Sequence, residues 1–408
     1  MRPLRASPGV LDELLAALQD VEEGLVTVEA PGLLADFAAL EVLPDQAAWR
    51  WAPPDEPALV ALGVAQKVTT PAEVPAGRRA FGARTFAGAS DGPWAPFGDA
   101  WFFLPRWELE NGRLSVWLDR DVSRAALAVE AARILRQAPL TPSPPVAWAE
   151  EAERAWWQAL VAAALDAFAD GRLDKVVAAR RARLTASSVL HAPSVASKLM
   201  APGCTHYFLR VPHGPSFFGA TPERLISLSG KELRTEALAG TAPAGQDAAL
   251  LASDKDRAEH RLVVAALDEA LRPLCRTLHV GAPEPKRLHH LVHLRTEVRG
   301  VLDADLDVLD LVARLHPTPA TGGTPRAEAL AFIAAHEPPR GLYAGPIGWF
   351  DSDGNGDFAV ALRGALVDGC DAYLYSGAGL VPGSEAGREW AETGWKRRAL
   401  CAAFGVEP

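Results

Sequence analysis

The chain has 408 residues, 49% hydrophobic and 23% charged, enough for a deep core and roughly one to three domains. Its net charge of −10 leaves no basic face for nucleic acid, so an anionic ligand would need local cations. No apolar run approaches the ~20 residues of a membrane span. The opening MRPLRASPGVLDELLAAL lacks both a continuous apolar segment and a small-residue cleavage site. No signal peptide is therefore expected, and a cytoplasmic location is. The cysteines Cys204, Cys275, Cys370 and Cys401 are scattered without metal spacing and read as reduced, mostly buried thiols.

Residues 1–146 carry few motifs. An amphipathic helix is predicted over Val10–Leu18, strands at VTVEA and LSVWLD, and core packing for WRW at 49–51 and Trp101 through Trp107. PLTPSPP at 139–145 is a proline-rich connection. Residues 147–408 are patterned more sharply. An Ala- and Trp-rich helix is predicted over 149–169, then a strand from Lys175. THYFLRV, SFFGATPERLISLSGKELRTEAL and GTAPAG read as strands joined by tight turns. A long helix follows over 254–277, LVHLRTEVRGVL alternates like a strand, and helices are predicted near 306–314, 325–335 and 384–402. Strand groups with interspersed helices, lacking regular βαβ alternation, predict an α+β layered domain. No repeat is present.

Several motifs invite a metal or nucleotide reading. DSDGNG at 351–356 opens like a calcium loop, but position twelve is Leu362 rather than Glu, and a hairpin turn is expected instead. YLYSGAGLVPG resembles a dinucleotide fingerprint with its third glycine misplaced; the expectation is a strand-to-helix turn whose backbone N–H groups cradle a carboxylate. In HHLVH, His290 and His293 lack the i, i+4 spacing of a helical zinc pair, and His293 is expected to hydrogen-bond a substrate. Asp256 and Glu259 lie three apart on one predicted helix, Glu389 and Glu392 three apart on another. Each helix thus presents two carboxylates on one face, and facing helices would make an oxygen-lined site suited to Mg²⁺. Solvated acidic faces are the simpler reading of either pair alone. Lys175 and Glu223 are by themselves ordinary.

Taken together, DKVVAAR, FFGATPERL, LAGTAPAG, SDKDRAEH, LHPTPA, GPIGWFDSDGNGDFAVALR and SGAGLVPGSEAGREWAETGWK resemble the chorismate-utilising enzymes, most of all the isochorismate synthases. The segments occur in the family's order and cover about 175–397. The resemblance implies one large α+β domain with antiparallel sheets flanked by helices, residues 1–146 being its variable part and 147–408 its chorismate-binding region. It implies Lys175 as the base that activates water for attack at C2 of chorismate and Glu223 as the acid assisting loss of the C4 hydroxyl. Glu259 and Glu392 become Mg²⁺ ligands, with Asp256 and Glu389 behind them. Gly240, Thr241, His293, Ala320, Tyr343, Leu362, Arg363, Tyr375, Gly377 and Lys396 fall on substrate-binding positions.

For Lys175 to act as base, desolvation and nearby cations are expected to lower its pKa; burial should keep Glu223 protonated. Ala239 stands where aminodeoxychorismate synthases carry lysine, and Lys175 is generally missing from anthranilate synthases. Salicylate synthase remains the rival: Tyr343 and Leu362 also occur there, Ala320 resembles the isochorismate synthase side, and Thr321 replaces an expected aliphatic residue. A non-catalytic chorismate-binding protein is the remote alternative. The expected partner is chorismate alone, without nucleic acid or membrane, bound by a monomer. The destination of the product (menaquinone, a siderophore or salicylate) stays open at this point.

Overall fold

Consecutive residues on the central strands bury their side chains in different cores. Trp49, Ala61, Tyr207 and Phe217 belong to one apolar cluster; their neighbours Ala48, Val60, Phe208 and Phe218 belong to another. That is the period of two of a strand covered on both faces, and Ser216–Thr221 is accordingly buried at every position. In the computed structural model, which describes residues 9–407 except 20, 89–90, 138, 151–153 and 289–290, twenty strands form one hydrogen-bonded sheet network. His289 and His290 of the HHLVH motif lie outside the described residues, as do the first eight residues of the chain.

The registered pairings are antiparallel, and helices pack against the sheet, so the α+β class holds. Strands from the first third are built into the same sheet. Ala48–Ala52 pairs with Thr205–Arg210, and Arg79–Arg84 pairs with Pro346–Asp351. WRW is strand, and Trp49, Trp101 and Trp107 are buried as expected. No disulfide joins the four cysteines, and Cys204 and Cys401 are buried. No helix among the described residues is long and apolar enough to cross a membrane.

Three expectations change. The helix predicted from 149 begins at Arg154, because Val146–Glu150 is a strand on the end of Lys175–Ala186, opposing Val146 to Ala186. Hydrogen bonds offered by an open strand edge outweigh the helix propensity of alanine. The helix predicted to 277 stops at Leu271, since Pro273 has no N–H to continue it. The chain then turns into the strand Cys275–Val280. Finally, YLYSGAGL is no turn: Asp371–Leu380 is one strand, paired with Lys175–Ala186 from Asp371↔Thr185 to Leu380↔Val176. DSDGNG is the expected hairpin, with Asp351 Oδ1 accepting from the N–H groups of Asp353 and Asn355, both at 2.9 Å.

Candidate active site

The site is assembled where the Lys175–Ala186 and Asp371–Leu380 strands meet two helices. Ser253 caps Asp254–Leu271, accepting from the Asp256 N–H at 3.2 Å. His260, one residue past Glu259, ties that helix down through Thr296 Oγ1 at 2.8 Å and the Ala239 carbonyl at 3.3 Å. Glu259 therefore points at a fixed place on the sheet. There Lys175, fully buried at the start of its strand, sets Nζ 2.9 Å from Glu259 Oε1. Burial alone would raise the Glu259 carboxyl. Lys175, with Lys396 and Lys255 farther off, more than offsets that and holds it below the usual glutamate value.

The glycines of SGAGL make this meeting possible. Residues 377 and 379 share one face of their strand. A Cβ on Gly379 would lie 2.5 Å from Glu259 Oε1 and 3.3 Å from Lys175 Cε. The Gly377 carbonyl accepts from Lys396 Nζ at 3.0 Å, so the strand meets the cavity with a carbonyl.

The closing helix Ala386–Phe404 brings the second acidic pair. Glu392 Oε1 lies 2.7 Å from Lys396 Nζ, and the buried Glu389 bonds Lys255 Nζ at 2.7 Å. The Glu392 carboxyl is raised: burial pushes it up and Glu389 and Glu259 add to that, against Lys396. Three carboxylates from two helices thus feel one another, each with a lysine laid on it. Glu259 and Glu392 line the cavity, while Glu389 and Asp256 stand behind its wall, Asp256 packing under Gly240.

Glu223 enters from the turn between Ser216–Thr221 and Arg224–Ser229, its backbone fixed by Thr221 Oγ1 at 3.2 Å and by the Val360 N–H at 3.1 Å. Its side chain is buried, and its carboxyl is pushed up to about 8, first by desolvation and then by Glu236, although Lys175, Lys286 and Lys396 pull it down. It is a carboxylic acid, not a carboxylate, at neutral pH.

On a further wall, Arg363 Nη2 lies 2.7 Å from His293 Nε2, and His293 Nδ1 lies 3.0 Å from Thr241 Oγ1. A guanidinium only donates, so Nε2 accepts and the ring proton sits on Nδ1. Burial, then Arg363 and Lys396, hold this imidazole well below its ordinary value, hence neutral. Both ring nitrogens are thereby engaged within the protein, and His293 lines the cavity beside the guanidinium it holds. Tyr343 and Tyr375 stack at 5.1 Å, and Gly240, Ala320 and Leu362 complete the lining. The space enclosed, including its open mouth, is about 730 Å³.

All the residues singled out from sequence converge here except that Lys175 sits behind Glu259 and that Asp256 and Glu389 stand outside the lining. Sequence reasoning missed Gly379, Lys255 and Arg340. The i, i+2 spacing of Gly377 and Gly379 was a signal for the first. Arg340 is buried and bonds the Thr321 and Val177 carbonyls at 2.9 and 2.7 Å, bracing two lining segments; nothing local marks it.

Residues 61–405 match the model of a family described as chorismate binding enzyme. A relative from Pseudomonas aeruginosa, described as a salicylate biosynthesis isochorismate synthase, is 40% identical over 293 residues, 67% of this chain and 62% of the relative. The chain thus spans less than two thirds of that relative's length. The isochorismate synthase EntC of Escherichia coli is 36% identical over 266 residues, 62% of this chain and 68% of EntC. The solved structure of MenF, the menaquinone-specific isochorismate synthase from Escherichia coli, superposes with a TM-score of 0.81 at 28% identity. It covers 97% of this chain and 99% of MenF.

Proposed function

The chain belongs to the chorismate binding enzyme family, and from that premise we propose that it is an isochorismate synthase, moving the C4 hydroxyl function of chorismate to C2. The observation that carries this is a carboxylic acid kept protonated to about pH 8, Glu223, in a cavity beside the buried Lys175. A hydroxyl migration by water exchange requires one group to take a proton and one to give it.

Lys175 acts in its neutral amine form: Nζ takes a proton from water as the water oxygen bonds C2. The ring double bonds shift, the C4–O bond breaks, and the departing oxygen takes the Glu223 proton and leaves as water. One water enters and one leaves; a proton returned from Lys175 to Glu223 resets the pair. Arg363, oriented by His293 and Thr241, and Lys396, held by the Gly377 carbonyl, bind substrate carboxylate charge, which answers the difficulty of an anionic ligand in an acidic protein. Residues 147–408 carry this chemistry, and residues 1–146 complete the sheet around it. The enzyme acts as a cytoplasmic monomer on a small molecule, with no nucleic acid or membrane as partner.

The donor set fits Mg²⁺. Among the described residues no three side chains form a ready-made metal cluster. Mg²⁺ needs none, since it takes one or two carboxylates and keeps its remaining positions for water and substrate. Glu259 and Glu392 would hold it, with Glu389 and Asp256 supporting, and the mutual crowding that raises Glu392 is what a divalent cation relieves. When bound, it supplies positive charge to a substrate carboxylate.

Incubation with chorismate and Mg²⁺ is expected to yield isochorismate with no salicylate fluorescence in the absence of an added lyase. EDTA should abolish turnover and Mg²⁺ restore it. Salicylate appearing from the purified protein alone selects the salicylate synthase reading that Tyr343 and Leu362 favour. Persistence of activity after thorough chelation removes the metal. Tight chorismate binding with no conversion at any pH or Mg²⁺ concentration leaves a binding protein.

Gly379→Ala tests the Lys175–Glu259 meeting. Its methyl group crowds the flexible end of Glu259 against Lys175 without removing either charge, so turnover is expected to fall roughly 10²-fold in a protein that still folds. Wild-type kinetics from a well-folded Gly379→Ala protein would remove that pair from the mechanism.

A further inference from the structure

The wall of the cavity is braced from the part of the chain that carries the fewest motifs. The short helix Gly92–Phe97 buries Trp94, whose Nε1–H donates to Tyr375 Oη at 2.9 Å. Indole nitrogen can only donate, so the phenol oxygen accepts there and the ring of Tyr375 is held at a defined height and tilt. Tyr375 stacks on Tyr343 at 5.1 Å and 20°, and both line the cavity. The Tyr343 hydroxyl reaches to within 3.3 Å of where a Gly377 Cβ would stand, beside the carbonyl that holds Lys396.

Trp94 is itself fixed. It packs edge-on to Phe217 at 5.1 Å and against Phe97 at 5.8 Å. Gly341, with φ of 55°, lets it in: a Cβ there would fall 2.1 to 2.5 Å from the indole. Gly341 lies two residues before Tyr343, and its carbonyl accepts from the Phe86 N–H at 2.8 Å. The same segment of chain therefore grips both tyrosines, one through a hydrogen bond and the other through its backbone.

We infer that Trp94 is a positioning residue for chorismate binding: it acts through Tyr375 and Tyr343 to set the wall against which the substrate is held, and touches neither substrate nor the proton-transfer pair. The inference rests on the chorismate reading above. Because Trp94 reaches the cavity only through the tyrosine wall and bonds neither Lys175 nor Glu223, the effect belongs in substrate binding rather than in the chemical step.

Trp94→Phe keeps an aromatic ring in place and removes the donor together with part of the indole's packing. It is expected to raise KM for chorismate about 3–10-fold, the range of one hydrogen bond, with kcat within about twofold. Tyr375→Phe breaks the same bond from the other side and should do the same without disturbing the packing of Trp94. The double variant should be no worse than the more affected single one, because both remove one interaction. Melting temperatures and calorimetric chorismate binding accompany the kinetics. A KM unchanged in Trp94→Phe, an equal fall in kcat, or effects that multiply in the double variant would overturn the positioning role. Wild-type protein that neither binds nor converts chorismate would instead sink the underlying function, and this inference with it.

Discussion

Lys175→Ala is expected to lower kcat by about 10²–10⁴-fold at saturating chorismate, the contribution of a positioned general base. The substitution also leaves the Glu259 carboxylate buried without its 2.9 Å partner, which costs roughly 3–5 kcal/mol where no water or ion replaces the lost charge. Loss of activity alone is therefore ambiguous between base and fold. Lys175→Arg separates the two. Arginine keeps a cation near Glu259 but does not surrender its proton under any assay condition. Chorismate binding and the melting temperature should recover toward wild type in Lys175→Arg, and kcat should not. Turnover within tenfold of wild type in either variant would show that another group takes the water proton.

Glu223→Gln is expected to produce a comparable loss in kcat together with a gain in stability. As the acid, Glu223 must hold its proton, so kcat should fall as pH rises through about 8. The stability sign follows from linkage. The folded carboxyl titrates near 8, above its unreacted reference of 4.5, so the folded state binds that proton more tightly than the unfolded chain does. The associated stabilisation is complete below about 4.5 and is lost as pH rises through 8. Glutamine has no proton to lose. Glu223→Gln should therefore melt higher than wild type, by an amount that grows between pH 5 and 8.5 and levels off beyond, corresponding to up to a few kcal/mol. A pH-independent difference in melting temperature, or a wild-type kcat that is flat across pH 8, would return Glu223 to a structural role. A site residue whose removal stabilises the fold is one whose burial serves the chemistry.

The sequence motifs located nearly all of this site, but they did so as a set. Acidic residues three apart on a helix are common, and nothing local distinguishes Glu259 or Glu392 from solvated surface positions. The reading depended on seven segments occurring in one order. Two segments read by local pattern alone were misread where a distant strand supplied the hydrogen bonds. Residues 149–150, expected to open a helix, became the end of the strand Val146–Glu150 because Ala182–Ala186 lies beside it. SGAGL became a strand interior because Ala178 and Ala179 pair with it. In both cases a long-range ladder outweighed a local preference of a few tenths of a kcal/mol per residue.

His293 shows the same limit at the level of one side chain. Its place in the cavity lining was legible, and its engagement by Thr241 and Arg363 was not, because hydrogen-bond partners 52 and 70 positions away leave no trace in spacing. Trp94 is the stronger case, reaching Tyr375 across 281 positions.

By itself, the sequence determined the fold class, the family and the residue types that can move a proton or hold an anion. Each of these follows from local periodicity, glycine placement and the order of short segments. Only the tertiary structure decided the protonation state of Glu223, the lysine laid on each carboxylate, and the support the cavity wall draws from Trp94. Those depend on burial and on charges brought together from distant parts of the chain, and desolvation and Coulomb energy are functions of distance in space, which a sequence does not contain.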